Sequence, residues 1–188
     1  MQIRRSYDLK INAKNLAISS VLASLYAVLV VILAPFSFLP FQLRVADALL
    51  PLSIVFGVPA AYGLSIGCAV ANYAGGLILF GGASVIDVIG GSVANFLACY
   101  LAWLIGRHGD ILRRFAATLV QTVVVTLIVG SYLWVLVGMP GSYNILGLEL
   151  PGLLAVILGV AIGSVLAINV MGFMLEEAVK RALYVTDK

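Results

Sequence analysis

Five stretches of this chain, at residues 16–34, 60–80, 85–106, 112–137 and 152–174, run for 19 to 26 residues almost without charge. About 20 apolar residues span the hydrocarbon core of a bilayer. Inside lipid every backbone N–H and C=O must find its partner within the protein, so only helices and closed barrels can cross. These stretches are too long for barrel strands and read as helices. A sixth stretch, 44–57, is apolar but short for a full crossing, and Gly57-Val58-Pro59 behind it forces a tight turn. Only 10% of the 188 residues are charged and 63% are hydrophobic, whereas soluble domains carry about 25% charged residues. The expected fold is an all-α integral membrane protein: a six-helix bundle forming one domain over residues 1–188, set multi-pass in the lipid bilayer of the plasma or inner membrane.

Charge placement orients the bundle. Ten of the 11 Lys and Arg fall on one side: Arg4, Arg5, Lys10 and Lys14 before the first helix, Arg107, Arg113 and Arg114 between the fourth and fifth, and Lys180, Arg181 and Lys188 after the sixth. The positive-inside rule puts both termini and the 107–114 loop in the cytoplasm. The basic pI of about 9.0 thus reports orientation and not a nucleic-acid partner. The apolar run of the first segment is too long for a signal-peptide core and no small-x-small cleavage site follows, so it reads as an uncleaved span.

Catalytic chemistry is hard to find. His108 is the sole histidine and sits in the basic loop as a solvated residue; Cys68 and Cys99 lie in apolar segments as packing residues. No HExxH, no nucleophile beside a base and no GxxxxGK[ST] occurs. The chain reads as a non-enzyme without metal or cofactor. A transporter built from it needs an ion gradient or a partner that hydrolyses ATP.

Four charged residues remain on the outer side: Arg44, Asp47, Asp87 and Glu149. Asp47 and Asp87 open helices that run inward, where the helix dipole favours a carboxylate by about 0.3–1 kcal/mol. Capping, with an Arg44–Asp47 ion pair at i, i+3, is one reading. A polar pocket is the other. Asn72 falls in the outer half of the third helix, and Asp87, Gly91 and Asn95 share one face of the fourth. Polar groups at membrane depth generally face a cavity or a partner. Asp47, Asn72, Asp87 and Asn95 would then converge on an outward-facing site, with Arg44 keeping Asp47 ionised and Glu149 at the rim. Interhelical amide bonding is the alternative for the two asparagines.

Rows of small residues at four-residue spacing run through the helices: Ser19, Ala23 and Ala27; Gly63, Gly67, Ala71 and Gly75; Gly90 to Gly106; and Ala155 to Ala167. They allow close backbone approach in lipid. Most serve packing within the bundle. On the first helix, Ala13, Ala17, Ala23 and Ala27 are the candidates for docking another membrane protein.

The stretches PFQLRVADALLPL, GLSIGCAVANYAGG and SVIDVIGGSVANFLACYLAWLI together resemble the QueT family, substrate-binding S components of energy-coupling factor transporters. The family pattern places Arg-Val-Ser-Glu-Ala before a Leu-Pro, then Gly-Cys-x-x-Ala-Asn, then Asp-x-x-x-Gly-Ser. Arg44, Val45, Ala48, Gly67, Cys68, Ala71, Asn72, Asp87, Gly91 and Ser92 match, while Ala46 and Asp47 stand where the pattern has serine and glutamate. The likeness is specific over residues 36–106 and general elsewhere. It implies a micronutrient bound near the outer face, a queuosine precursor of 7-deazaguanine type, and partnership with a membrane T protein and two cytoplasmic ATPases through small residues of the first helix. Phe41, Tyr73, Tyr132, Trp134 or Tyr143 would stack on the base. A different vitamin or amino acid as ligand, a solitary gradient-driven carrier, and a ligand-free assembly protein are the competing readings.

Overall fold

The computed structural model describes residues 12–34, 43–136, 138, 141–145 and 148–186. Helix α1 spans Ala13–Ile32 and starts at Asn12, whose side chain accepts a hydrogen bond from the Lys14 N–H at 2.8 Å. A 3-10 turn at Val45–Leu49 and a one-turn helix α2 at Leu52–Phe56 follow. Then come α3 (Val58–Phe80), α4 (Val85–Gly106) and α5 (Ile111–Leu136), an antiparallel hairpin of β1 (Ser142–Ile145) and β2 (Leu148–Pro151), and a last helical column. That column is α6 (Gly152–Ser164), a π-helical stretch Val165–Gly172, and α7 (Phe173–Thr186). Five of these columns are long and apolar enough to cross a membrane, the last over Gly152–Leu183; Val45–Phe56 is a shorter apolar piece.

The expected single helix over 44–57 is broken in two. Pro51 lacks an N–H and cannot continue an α-helical ladder. The chain instead makes tight i→i+3 bonds, Leu50 N–H to Asp47 O at 3.0 Å and Ile54 N–H to Pro51 O at 2.9 Å. Twelve residues rise about 18 Å when helical, short of the roughly 30 Å core. The connection before the last column carries the hairpin, in which Asn144 pairs with Glu149. The last helix does not stop near 174 but runs to Thr186.

Glycine rows set the packing. A Cβ on Gly63 would lie 2.4 Å from the Ser19 carbonyl oxygen, and one on Gly67 would lie 2.6 Å from that of Ala23. Helices α1 and α3 therefore run parallel with their backbones in contact, the small-residue geometry expected in lipid. Matching contacts set α4 antiparallel to α5, with Gly106 against Ala117 and Gly90 against Tyr132. Lys14, Arg107, Arg113, Arg114, Lys180 and Arg181 thereby gather at one end of the bundle, the basic end, opposite the hairpin end. The π stretch widens the last column where Asn169 reaches α5: it accepts from Thr122 Oγ1 at 2.6 Å and donates to Thr118 Oγ1 at 2.9 Å.

Candidate functional site

Towards the hairpin end, four segments bring polar side chains into one buried cluster. Tyr26 sits 13 residues into α1 and Asn72 14 into α3, each about 20 Å from the basic end at 1.5 Å per residue. Asp87 enters from the first turn of α4, where Ser84 Oγ accepts its N–H at 3.5 Å. Asp47 lies in the 3-10 turn and Arg44 at its N-cap. Tyr132 comes from the last turns of α5.

Arg44, Asp47, Asn72 and Asp87 are 5%, 5%, 1% and 8% exposed, so solvent does little to screen them. The Tyr26 hydroxyl donates to Asp47 Oδ1 at 2.6 Å and that of Tyr132 to Asp87 Oδ1 at 3.0 Å. Arg44 Nη2 donates to Asn72 Oδ1 at 2.9 Å, and Asn72 Nδ2 donates to the Asp87 carbonyl at 2.8 Å. The Cys68 sulfur lies 3.7 Å from both Arg44 Nη1 and Asn72 Nδ2. Gly91 closes the floor, since a Cβ there would meet Asn72 Nδ2 at 2.6 Å.

Of the residues singled out from sequence, Arg44, Asp47, Asn72 and Asp87 come together. The bonds described for Arg44 and Asp47 run to Asn72 and Tyr26. The side-chain cap of α4 is Ser84, which accepts the Asp87 N–H, while the Asp87 carboxylate accepts from Tyr132. Asn95 shares the Asp87 face two turns deeper, buried, with no hydrogen-bond partner for Nδ2 among the described residues. Glu149 is exposed on β2. Tyr132 is present through its hydroxyl; Trp134 donates its indole N–H to the Ser131 carbonyl, and Tyr73 is exposed. Phe41 and the side chain of Tyr143 lie outside the described residues, as do Arg4, Arg5, Lys10 and Lys188.

Two members escaped sequence reading. Tyr26 is fully buried, and the only signal for it was a tyrosine on the small-residue face of α1. Cys68, read as packing, lies against the guanidinium. Of the docking candidates, Ala13 and Ala17 are exposed, Ala23 packs its backbone on Gly67, and Ala27 is half-buried.

A buried polar cluster at one end of a bundle of membrane-length helices is the architecture of a multi-pass membrane protein. The comparison with known families agrees: residues 16–181 match the family described as QueT transporter, and the chain belongs to that family. No curated protein and no solved structure shows a significant match to the chain.

Proposed function

We propose that the chain is the substrate-binding S component of an energy-coupling factor importer and captures a 7-deazaguanine precursor of queuosine in the Tyr26–Asp47–Asn72–Asp87 cluster. One observation carries the reading: among the described residues a single guanidinium is buried with two carboxyl groups, which leaves negative charge in excess in an apolar bundle when both are ionised. Such a charge is costly until a cation meets it. An aminomethyl cation on the ligand supplies the neutralising charge. The guanine-like edge presents adjacent N–H donors, which a carboxylate accepts as a pair. On entry the ligand exchanges the Tyr26–Asp47 and Tyr132–Asp87 bonds for its own, so the tyrosines act as internal stand-ins for substrate.

In this reading the basic end faces the cytoplasm and the cluster opens outward, in accord with the charge asymmetry. In this reading uptake draws on ATP hydrolysed by partner ATPases, and the chain, which carries no GxxxxGK[ST] loop, supplies the binding site alone. Ala13 and Ala17 present an open small-residue face near the basic end for the T protein, while Ala23 serves the contact with α3.

The decisive experiment is mass spectrometry of the small molecule that co-purifies with the protein, followed by calorimetric titration with 7-aminomethyl-7-deazaguanine. Hydrogen bonds to charged groups contribute about 1.5–3 kcal/mol each, so Asp47→Asn and Asp87→Asn should each weaken binding by roughly ten- to 150-fold. Unaltered affinity in both variants overturns the site. Tight binding of an unrelated vitamin, with no response to the deazaguanine, overturns the ligand.

A further inference from the structure

A cavity of about 200 Å³ lies at the opposite, basic end, between α2, the end of α4, the start of α5 and α7. Arg107, Arg114, Lys180 and Glu176 give it its polar wall, and Ile54 and Leu183 are among its apolar lining. It is separate from the cluster described above and needs no part of the reading given to that cluster.

The electrostatics of this cavity are unbalanced. Both oxygens of Glu176 are occupied by Arg114 Nη1, at 2.7 and 2.9 Å. Arg114 Nη2 bonds Glu177. With those two carboxylates set against Arg107, Arg114 and Lys180, one positive charge is left over. Arg107 and Lys180 are in no ion pair among the described residues. Arg107 lies over the Trp103 ring at 4.7 Å, which holds its guanidinium at the cavity wall. Arg114 is 5% exposed, yet its Nε–H has no acceptor among the described residues. An unsatisfied buried donor of a charged group is costly, and the residue that carries it lines the cavity an anion would enter.

We propose that this cavity binds a phosphate-bearing anion, with the headgroup of an anionic phospholipid as the source its position favours. With the spans crossing the bilayer and the basic end inside, as the charge asymmetry implies, the cavity lies at headgroup level, and basic pockets between spans on the cytoplasmic side bind such groups. Its volume is several times the roughly 30 Å³ share of one water molecule, enough for a phosphate with part of its hydration. Ile54 and Leu183 offer an apolar wall to the glycerol side of a lipid. Glu176, already held by Arg114, adds little repulsion.

The test uses the full chain in nanodiscs of phosphatidylcholine, with and without phosphatidylglycerol, and reads retained lipid by native mass spectrometry together with the melting temperature. Each basic side chain near an anionic surface is worth about a fivefold change in affinity. R107Q/K180Q should therefore cut phosphatidylglycerol retention by roughly 25-fold and remove the rise in melting temperature that this lipid causes. R113Q/R181Q removes the same charge outside the cavity lining and should leave both readouts near the parent values. R107K/K180R keeps the charge and should retain binding, which separates lost recognition from lost folding. Inorganic phosphate and glycerol 3-phosphate, added to phosphatidylcholine discs, form the soluble arm. Stabilisation there without retention of phosphatidylglycerol supports the same site with a soluble occupant. Equal loss in the two charge-removing doubles reduces the effect to general surface charge and overturns the proposal, as does the absence of any response to lipid or phosphate.

Discussion

Gly91→Ala is the sharpest probe of the buried cluster, because it adds one carbon where the geometry leaves no room. The new Cβ would lie 2.6 Å from Asn72 Nδ2 and 3.2 Å from the Cys68 sulfur, while ordinary contact begins near 3.4 Å. Asn72 must withdraw by about 0.8 Å to restore contact. It is not free to do so. Its Nδ2 is tied at 2.8 Å to the Asp87 carbonyl, which belongs to the same helix as Gly91. A retreat from α4 stretches that bond to about 3.6 Å, beyond hydrogen-bonding range. Its Oδ1 meanwhile anchors Arg44 at 2.9 Å. Overpacking costs about 1–3 kcal/mol and an unsatisfied buried donor a similar amount, so the combined loss is about 2–6 kcal/mol. Thermal unfolding in detergent measures it, with Gly82→Ala as control because nothing lies within 4 Å of a Cβ there. Gly91→Ala should melt several degrees below the parent and Gly82→Ala beside it. If Gly91→Ala melts with the parent, Asn72 is not fixed between Arg44 and α4, and the described cluster is wrong.

Other outcomes follow from the same contacts. Tyr26→Phe leaves Asp47 short of the donor now 2.6 Å away and should cost about 1–3 kcal/mol of stability in the ligand-free protein, read by the same melting assay. Arg114→Met strands the fully buried Glu176 and should cost about 3–5 kcal/mol; adding Glu176→Leu should recover much of that loss, since the apolar pair leaves no charge behind. Cysteine placed at Ser142, on the hairpin, should react with an impermeant thiol reagent from outside the cell, and cysteine at Asp110 only after the membrane is opened; the reverse pattern would invert the proposed orientation. Tryptophan at Ala13 and Ala17, both exposed, should abolish co-purification with the coupling module while ligand binding survives.

What the sequence determined by itself follows from local and compositional physics. Apolar runs of bilayer length fix helices wherever lipid leaves backbone groups no other partner. The small-residue rows announced close helix contacts, and Gly63 and Gly67 make them with α1. Asp87, Gly91 and Asn95 share a face because 3.6 residues make a turn. The motif residues Arg44, Asn72 and Asp87 were legible as a group, and they meet. The tertiary structure alone decided what each of them touches. Local spacing set Arg44 beside Asp47; it gave no sign of the bonds to Asn72 and Tyr26, partners 28 and 21 residues away in sequence. Pro51 was visible, but how the broken segment would sit, with its Leu50 carbonyl accepting from Gln121 at 3.0 Å, was not. Arg114 looked like a topology marker until the longer last helix brought Glu176 beneath it. In each case the deciding quantity is the burial of a polar group. Burial requires that group to take whichever partner the packed helices bring within reach, and which helices pack is a property of the whole chain.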